Sequence, residues 1–250
     1  MSMKIDVVAW GDDIKGLSFK PGESTSHFTA LGFRYSSPVS YSGPLIMEIY
    51  QSNGGPAAPA VEPSAQDKAH QLNPLVFEEK STDPGTKAQP KQGLALELEK
   101  RRRKSPALVA LAALPAPGCR RATVLLAPAD AGTFAAYVID DDPAKLPLGQ
   151  LRVHNLSPLL IAIRCNGNPA QELQPRAAML VPAKNQQLIY ELAYKLGDEW
   201  KVQENNVIPI RTKEQAQMII LRSQHSFFLS SDGSSGGFLQ IVTLRRSPPP

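Results

Sequence analysis

The sequence predicts an all-β protein, and three features support that prediction. Short stretches alternate between apolar and polar residues, as in the run with Leu188, Tyr190 and Leu192, which is typical of antiparallel strands with one buried face. Turn-forming pairs such as Asn166-Gly167 separate these stretches. Proline, which helix interiors and central strands exclude, accounts for 23 of the 250 residues. We predict two tandem immunoglobulin-like β-sandwich domains, with one large β-sandwich or barrel as the alternative.

The predicted N-terminal β-sandwich, residues 1–128, holds about seven strands. The apolar stretch 107–114 is compatible with a helix, but Pro106 and Pro115 enclose it and favour a strand. Residues 52–93 are rich in Pro and Gly and form a long irregular insertion, in which only 75–77 is suited to pair in a sheet. The strands are predicted at residues 4–10, 14–20, 28–35, 45–50, 94–99, 107–114 and 123–126.

The predicted C-terminal β-sandwich, residues 129–246, holds about eight strands, and residues 247–250 are a tail. Its first strand ends at three consecutive aspartates, 140–142. The stretch 218–221 is apolar throughout, which indicates a buried strand. The strands are predicted at residues 134–139, 151–153, 159–165, 179–181, 188–194, 200–202, 218–221 and 238–244.

Charge and hydropathy leave two cellular locations open. The net charge of +4 is spread along the chain and neither demands nor excludes an anionic partner. No apolar run approaches the roughly 20 residues that span a bilayer, so we expect no transmembrane segment. The N-terminus passes directly into an apparent strand rather than a signal peptide. The protein is therefore either cytoplasmic or an exported protein whose leader has been removed.

Four groups of segments resemble a family of exported, β-rich bacterial envelope proteins to which no activity is assigned. They cover about half of the chain and consist of turn and strand motifs. The segments are residues 33–38 with 41–44, 139–143 with 147–149, 152–157, and 197–200. The resemblance implies a periplasmic or cell-surface location and an immunoglobulin-like or related sandwich, and it assigns no functional residue.

Five consecutive cations form the one candidate ligand-binding site in the sequence. A run of this kind can bind the phosphates of nucleic acids or lipid headgroups, or it can be a solvent-exposed hairpin tip partly offset by the preceding Glu97 and Glu99. Nucleic acid is the less favoured ligand, because no aromatic residue for base stacking lies within ten residues of the run. The residues are Lys100, Arg101, Arg102, Arg103 and Lys104.

Other chemistry-bearing residues have structural interpretations that we favour. Cys119 and Cys165 are either separate thiols or a disulfide, which would require an oxidising compartment. The aspartates 140–142 form an acidic turn rather than a calcium loop, since the spacing and glycine bend of such a loop are missing. His154 lies on the polar side of its strand with no nucleophile motif nearby. We expect no metal and no cofactor.

The two tryptophans raise the possibility of stacking on sugar rings. Trp200 has the same strand parity as Val202, which favours a position in the core. Trp10 closes the first predicted strand.

These observations predict a non-enzymatic structural or adhesive module of the cell envelope, for example in a pilus-type or other surface assembly, with a protein partner. The first alternative is a module that binds an anionic polymer or glycan through residues 100–104. The second is a hydrolase whose residues are gathered from distant loops.

Overall fold

The computed structural model describes residues 1–20, 27–52, 91–115, 117–129, 132–142, 145–222 and 239–246. Strands dominate these residues, which confirms the all-β class. The elements are β1 (Ser2–Ala9), β2 (Ile14–Ser18), β3 (Phe28–Gly32), β4 (Val39–Ser42), β5 (Ile46–Gln51), α1 (Lys91–Arg102), β6 (Leu108–Ala113), β7 (Arg121–Pro128), β8 (Phe134–Asp140), β9 (Gln150–Asn155), β10 (Ile161–Cys165), β11 (Gln171–Leu173), β12 (Ala178–Pro182), β13 (Gln187–Leu196), β14 (Glu199–Pro209), β15 (Gln215–Arg222) and β16 (Leu239–Arg246).

The N-terminal strands form one eight-stranded sheet rather than two facing sheets. Its order is β6-β5-β2-β3-β1-β7-β8, and β4 also pairs with β1. The two end strands, β6 and β8, lie against each other, so the sheet curls around its own core. That core contains Ile5 and Val7 from β1, Ile49 from β5 and Val124 from β7. Strand β8, predicted as the start of the second half, pairs with β7 and completes this first sheet.

The C-terminal strands form two four-stranded sheets that share one core. One sheet has the order β11-β10-β13-β14 and the other β12-β9-β15-β16. Val153 and Met218 of one sheet and Ile163 and Leu188 of the other are all buried in the shared core. These strands therefore build a β-sandwich.

A third apolar core joins the two halves. Val8 and Leu125 of the first sheet are packed in one cluster with Ile219 and Leu244 of the sandwich. Trp10 belongs to the same cluster, and its Nε1 donates a hydrogen bond of 2.8 Å to Oε1 of Gln240. Strands β1, β7 and β15 thus have apolar residues buried on both faces, which explains the unbroken apolar runs 7–9, 124–127 and 218–221.

The antiparallel pairing predicted from stretches such as 188–194 is confirmed, and parallel pairs occur elsewhere in the sheets. Strand β1 pairs in parallel with β3 and β7, and β9 pairs in parallel with β15. Parallel strands are usually buried on both faces, so the apolar runs of β7 and β15 are the sequence feature that indicates parallel pairing.

The predicted strand at 94–99 is also wrong, because these residues lie in helix α1. Leu94 and Leu98 are four residues apart and pack on one helix face against Leu108 and Leu111 of β6, while Leu96 is exposed. Arg101 fixes the helix to β5 through a 2.5 Å contact with Glu48.

Several local predictions are confirmed. Residues 107–114 contain strand β6, as the flanking prolines indicate. Asn166 and Gly167 both have positive φ, at 52° and 76°, as the tight turn between β10 and β11 requires. Within the described ranges, no helix is long and apolar enough to cross a membrane. The predictions for residues 53–90, including 75–77, and for 247–250 fall outside the described residues.

Candidate ligand-binding cavity

An open cavity of about 900 Å³ lies between helix α1 and strands β6 and β8. Leu94 and Leu98 of α1 form one wall, and Leu111 of β6 and Val138 of β8 form another. Leu156, which follows β9, contributes a side chain from the C-terminal half. The cavity has the size and the apolar lining typical of small-molecule sites.

Four charged side chains line the same cavity, and we call them the charged rim: Glu99, Arg102, Arg103 and Arg176. Three positive charges against one negative charge leave the rim with a formal charge of +2. Glu99 forms an ion pair of 2.8 Å with Arg103, and both side chains are largely exposed to solvent. The cavity therefore combines an apolar lining with a charged rim in which guanidinium groups are in excess.

The predicted basic run contributes two of its five residues to the lining of the cavity. Arg102 and Arg103 line the cavity, whereas Lys100, Arg101 and Lys104 do not. Arg101 is held between Glu97, at 2.8 Å, and Glu48, at 2.5 Å. The run ends a helix instead of capping a hairpin, and cations in the last helical turn also stabilise the helix dipole.

Among the described residues that line the cavity, Tyr137 is the one phenol. Burial raises its pKa above the ordinary value, and the charge of Arg176 acts in the opposite direction. Its hydroxyl group is therefore protonated at neutral pH and can donate a hydrogen bond. The described lining contains neither His nor Cys, the side chains most often used as a general base or a nucleophile.

A buried ionic network connects the two halves beside the third core. Arg121 of β7 contacts both carboxylate oxygens of Asp6 on β1, at 2.6 and 3.0 Å. Arg246 of β16 uses Nη2 to reach Asp6 at 2.9 Å and Asp141 at 2.7 Å. Its guanidinium carbon lies 4.2 Å from the ring centre of Tyr35. Both aspartates are fully buried, so the ion pairs are shielded from solvent.

His154 extends this network from the same face of β9 as Arg152, the polar face that the sequence indicates, but that face is not exposed to solvent. It is covered by the first half of the chain, so His154 is buried. The side-chain nitrogen of Gln217 donates a hydrogen bond of 2.7 Å to Asp141. The side-chain oxygen of Gln217 therefore lies 2.8 Å from Nε2 of His154. His154 must therefore donate from Nε2. Burial lowers its pKa to about 4, so the ring is neutral at pH 7.

The remaining candidate residues have separate surroundings. Cys119 and Cys165 are free thiols buried in different cores. Asp140 ends β8 and forms a 2.5 Å pair with Lys145. In the described part of the chain, no group of three or more His, Cys, Asp or Glu side chains is arranged to hold a metal ion.

The predicted core position of Trp200 is wrong. Its side chain is 42% exposed and that of Val202 is 68% exposed. Cross-strand pairing places Trp200 opposite Lys195 and Val202 opposite Ala193, on the outer face of the β13–β14 hairpin. Trp200 and Val202 do lie on one face of the sheet, as their parity predicts, but that face is the exposed one.

Two residues of the charged rim, Arg102 and Arg103, belong to the basic run that the sequence indicates, whereas the rest of the cavity has no signal in the sequence. Arg176 and Leu156 are distant from the basic run along the chain, so no local pattern connects them with it. No model of a known protein family matches the chain, and no curated protein matches it in sequence.

Proposed function

We propose that this chain is a non-enzymatic binding module and that the cavity beside α1 is its binding site. The observation that carries the proposal is one open cavity of about 900 Å³ in which an apolar lining meets three arginines. Such a site holds a ligand by burying its apolar surface and orients it by a few polar groups. The groups available in the lining suit binding better than bond cleavage, since Tyr137 remains protonated, arginine does not act as a base, and the carboxylate of Glu99 is largely exposed and paired with Arg103.

The location in the cell envelope is part of this proposal. It is supported by the resemblance of the turn and strand segments to exported β-rich proteins and by the dominance of β-strands. An immunoglobulin-like class for the C-terminal half is also proposed, supported by two four-stranded sheets that share one core. Cell fractionation with an antibody checks the location, and recovery in the cytoplasmic fraction alone would contradict it.

A structural or adhesive role through a protein partner is the second candidate. The outer face of the β13–β14 hairpin favours it, because Ile189, Trp200, Val202 and Val207 are exposed there. Exposed apolar patches of this kind mark protein interaction sites. Changing Trp200→Ser and Val202→Ser should then abolish partner recovery from envelope extracts while the cavity is left unchanged.

The cavity is tested with a substitution that fills it. Ala135 lies on β8, is exposed and lines the cavity, so Ala135→Trp should block the cavity without disturbing the core. Purified wild-type protein is examined by native mass spectrometry for co-purifying small molecules and by thermal shift against a panel of organic anions. We expect stabilisation of the wild-type protein and none of the variant. Equal responses from both proteins would contradict the proposed site.

A further inference from the structure

We infer that the ligand of the cavity is a single-chain amphiphile, a long-chain carboxylate whose hydrocarbon chain lies against α1, β6 and β8 and whose head meets the charged rim. This inference rests on the proposed function and specifies its ligand. It follows from the composition of the lining, in which buried apolar side chains such as Leu98 and Leu111 occur together with more exposed arginines. The charge complementarity of the charged rim selects an anionic head over a neutral one.

The apolar interior favours one hydrocarbon chain over a polymer. Most lining side chains are aliphatic or aromatic, including Leu98, Leu111, Phe134 and Val138. A polysaccharide or nucleic acid would leave its hydroxyl and phosphate groups against these side chains without hydrogen-bond partners. A hydrocarbon chain gains affinity from every methylene group that it buries, by up to about fourfold each.

The rim favours an anionic group at one end of that chain. Its formal charge is +2, and its one carboxylate, Glu99, is already contacted by Arg103 at 2.8 Å. Arginine binds carboxylates with two parallel N–H groups, which makes it selective for a planar anion. Arg102 and Arg176 approach the cavity from the two halves of the chain, so both halves contribute to recognition of the head.

Saturated carboxylates of 8 to 16 carbons are titrated against the full chain by displacement of the fluorescent probe cis-parinarate. The matching primary alcohols are titrated in parallel. We expect the affinity to rise with chain length and to level off when the cavity is filled. We also expect each carboxylate to bind about tenfold more tightly than its alcohol, because the alcohol loses a charge-assisted hydrogen bond.

Two charge variants and one matched control locate the head group. Arg102→Gln and Arg176→Gln should each weaken dodecanoate binding about tenfold and leave dodecanol binding unchanged. Lys100→Gln removes a cation from the same helical turn as Arg102 but outside the cavity, and it should change neither affinity. Circular dichroism of each variant verifies that the fold is retained.

The outcomes distinguish an error in the ligand class from an error in the proposed function. Equal binding of carboxylate and alcohol, with Arg102→Gln silent, overturns the anionic class but leaves an apolar binding site. Binding of heparin, or of phosphatidylglycerol vesicles, in preference to every single-chain ligand overturns the amphiphile and favours a polyanion or a membrane surface. Failure of all these ligands, with identical behaviour of Ala135→Trp and wild type, overturns the cavity as a binding site altogether.

Discussion

Asp6 lies fully buried on β1 between two guanidinium groups. Arg121 satisfies both of its oxygens, and Arg246 bridges it to Asp141. A buried pair of this kind adds little net stability relative to apolar residues, but the loss of one partner leaves an uncompensated charge at a buried position. Two nitrogens of Arg246, Nε and Nη1, are buried without a partner among the described residues, so this arginine depends strongly on its two aspartates.

The change Asp6→Ala should lower the free energy of unfolding by about 3–5 kcal/mol, because Arg121 and Arg246 lose their shared carboxylate. Urea denaturation followed by circular dichroism measures the change. Glu191→Ala removes an exposed pair with Arg164 and serves as the control, with an expected loss of at most about 1 kcal/mol. Equal losses in the two variants would mean that the network is not shielded from solvent.

His154 makes the stability of the fold dependent on pH. Its pKa falls from about 6.5 in the unfolded chain to about 4 in the folded state, chiefly through burial. Stability from the neutral ring is therefore fully present above pH 6.5 and is lost as the pH falls toward 4. The integrated contribution is about 3 kcal/mol.

The change His154→Gln preserves a donor toward Gln217 and removes the titration. The free energy of unfolding of the wild type should therefore decline more steeply between pH 7 and pH 4.5 than that of the variant. Denaturation curves at several pH values measure the difference. Parallel pH profiles for the two proteins would show that His154 is not buried in its neutral form.

Helix α1 is the element on which the cavity depends, and one face of it is held against β6. Leu98 is 9% exposed and packs in a cluster with Leu108 and Leu111, whereas Leu96 is 58% exposed. Leu98→Ala should therefore cost about 2–3 kcal/mol of unfolding free energy and weaken ligand binding, because the wall of the cavity is lost. Leu96→Ala is the matched control and should change stability by no more than about 0.5 kcal/mol. Equal losses of stability from Leu98→Ala and Leu96→Ala would mean that both side chains are buried on one face, as in the strand that the alternation of leucines at 94–99 predicts.

The sequence predicts elements well where one pattern has one physical interpretation. The period-two stretches 159–165 and 188–194 become strands β10 and β13, and the prolines around 107–114 exclude a helix there. The pattern at 94–99 satisfies both periods, because Leu94 and Leu98 lie on one helix face while Leu94, Leu96 and Leu98 also alternate. The sequence alone does not distinguish a helix from a strand at residues 94–99.

The burial of a strand face cannot be predicted locally when a second layer covers it. The polar face of β9 is covered by the first sheet, and therefore His154 is buried. The hairpin β13–β14 has the opposite arrangement, since nothing among the described residues covers Trp200 and Val202. The cavity was missed for the same reason, because it is made by residues that only the tertiary fold brings together.

At the scale of the whole molecule, the third core and the ionic network join the two halves into one unit. Ile219 and Leu125 are buried together, and Arg246 reaches across to Asp6. Separation of the halves would expose these apolar side chains and leave the charges unpaired. We therefore expect a single cooperative transition in differential scanning calorimetry, with a calorimetric enthalpy equal to the van't Hoff enthalpy. Two resolved transitions would mean that the halves unfold independently.

A ligand bound beside α1 should perturb the backbone amide groups of the residues that line the cavity. Two-dimensional NMR of isotope-labelled protein, titrated with dodecanoate, reports on every backbone amide group. We predict that the largest shift changes fall on Leu98, Leu111, Ala135 and Tyr137, with a further change at Arg176. Changes confined to the outer face of β13–β14, or none at saturating ligand, would contradict a binding site beside α1.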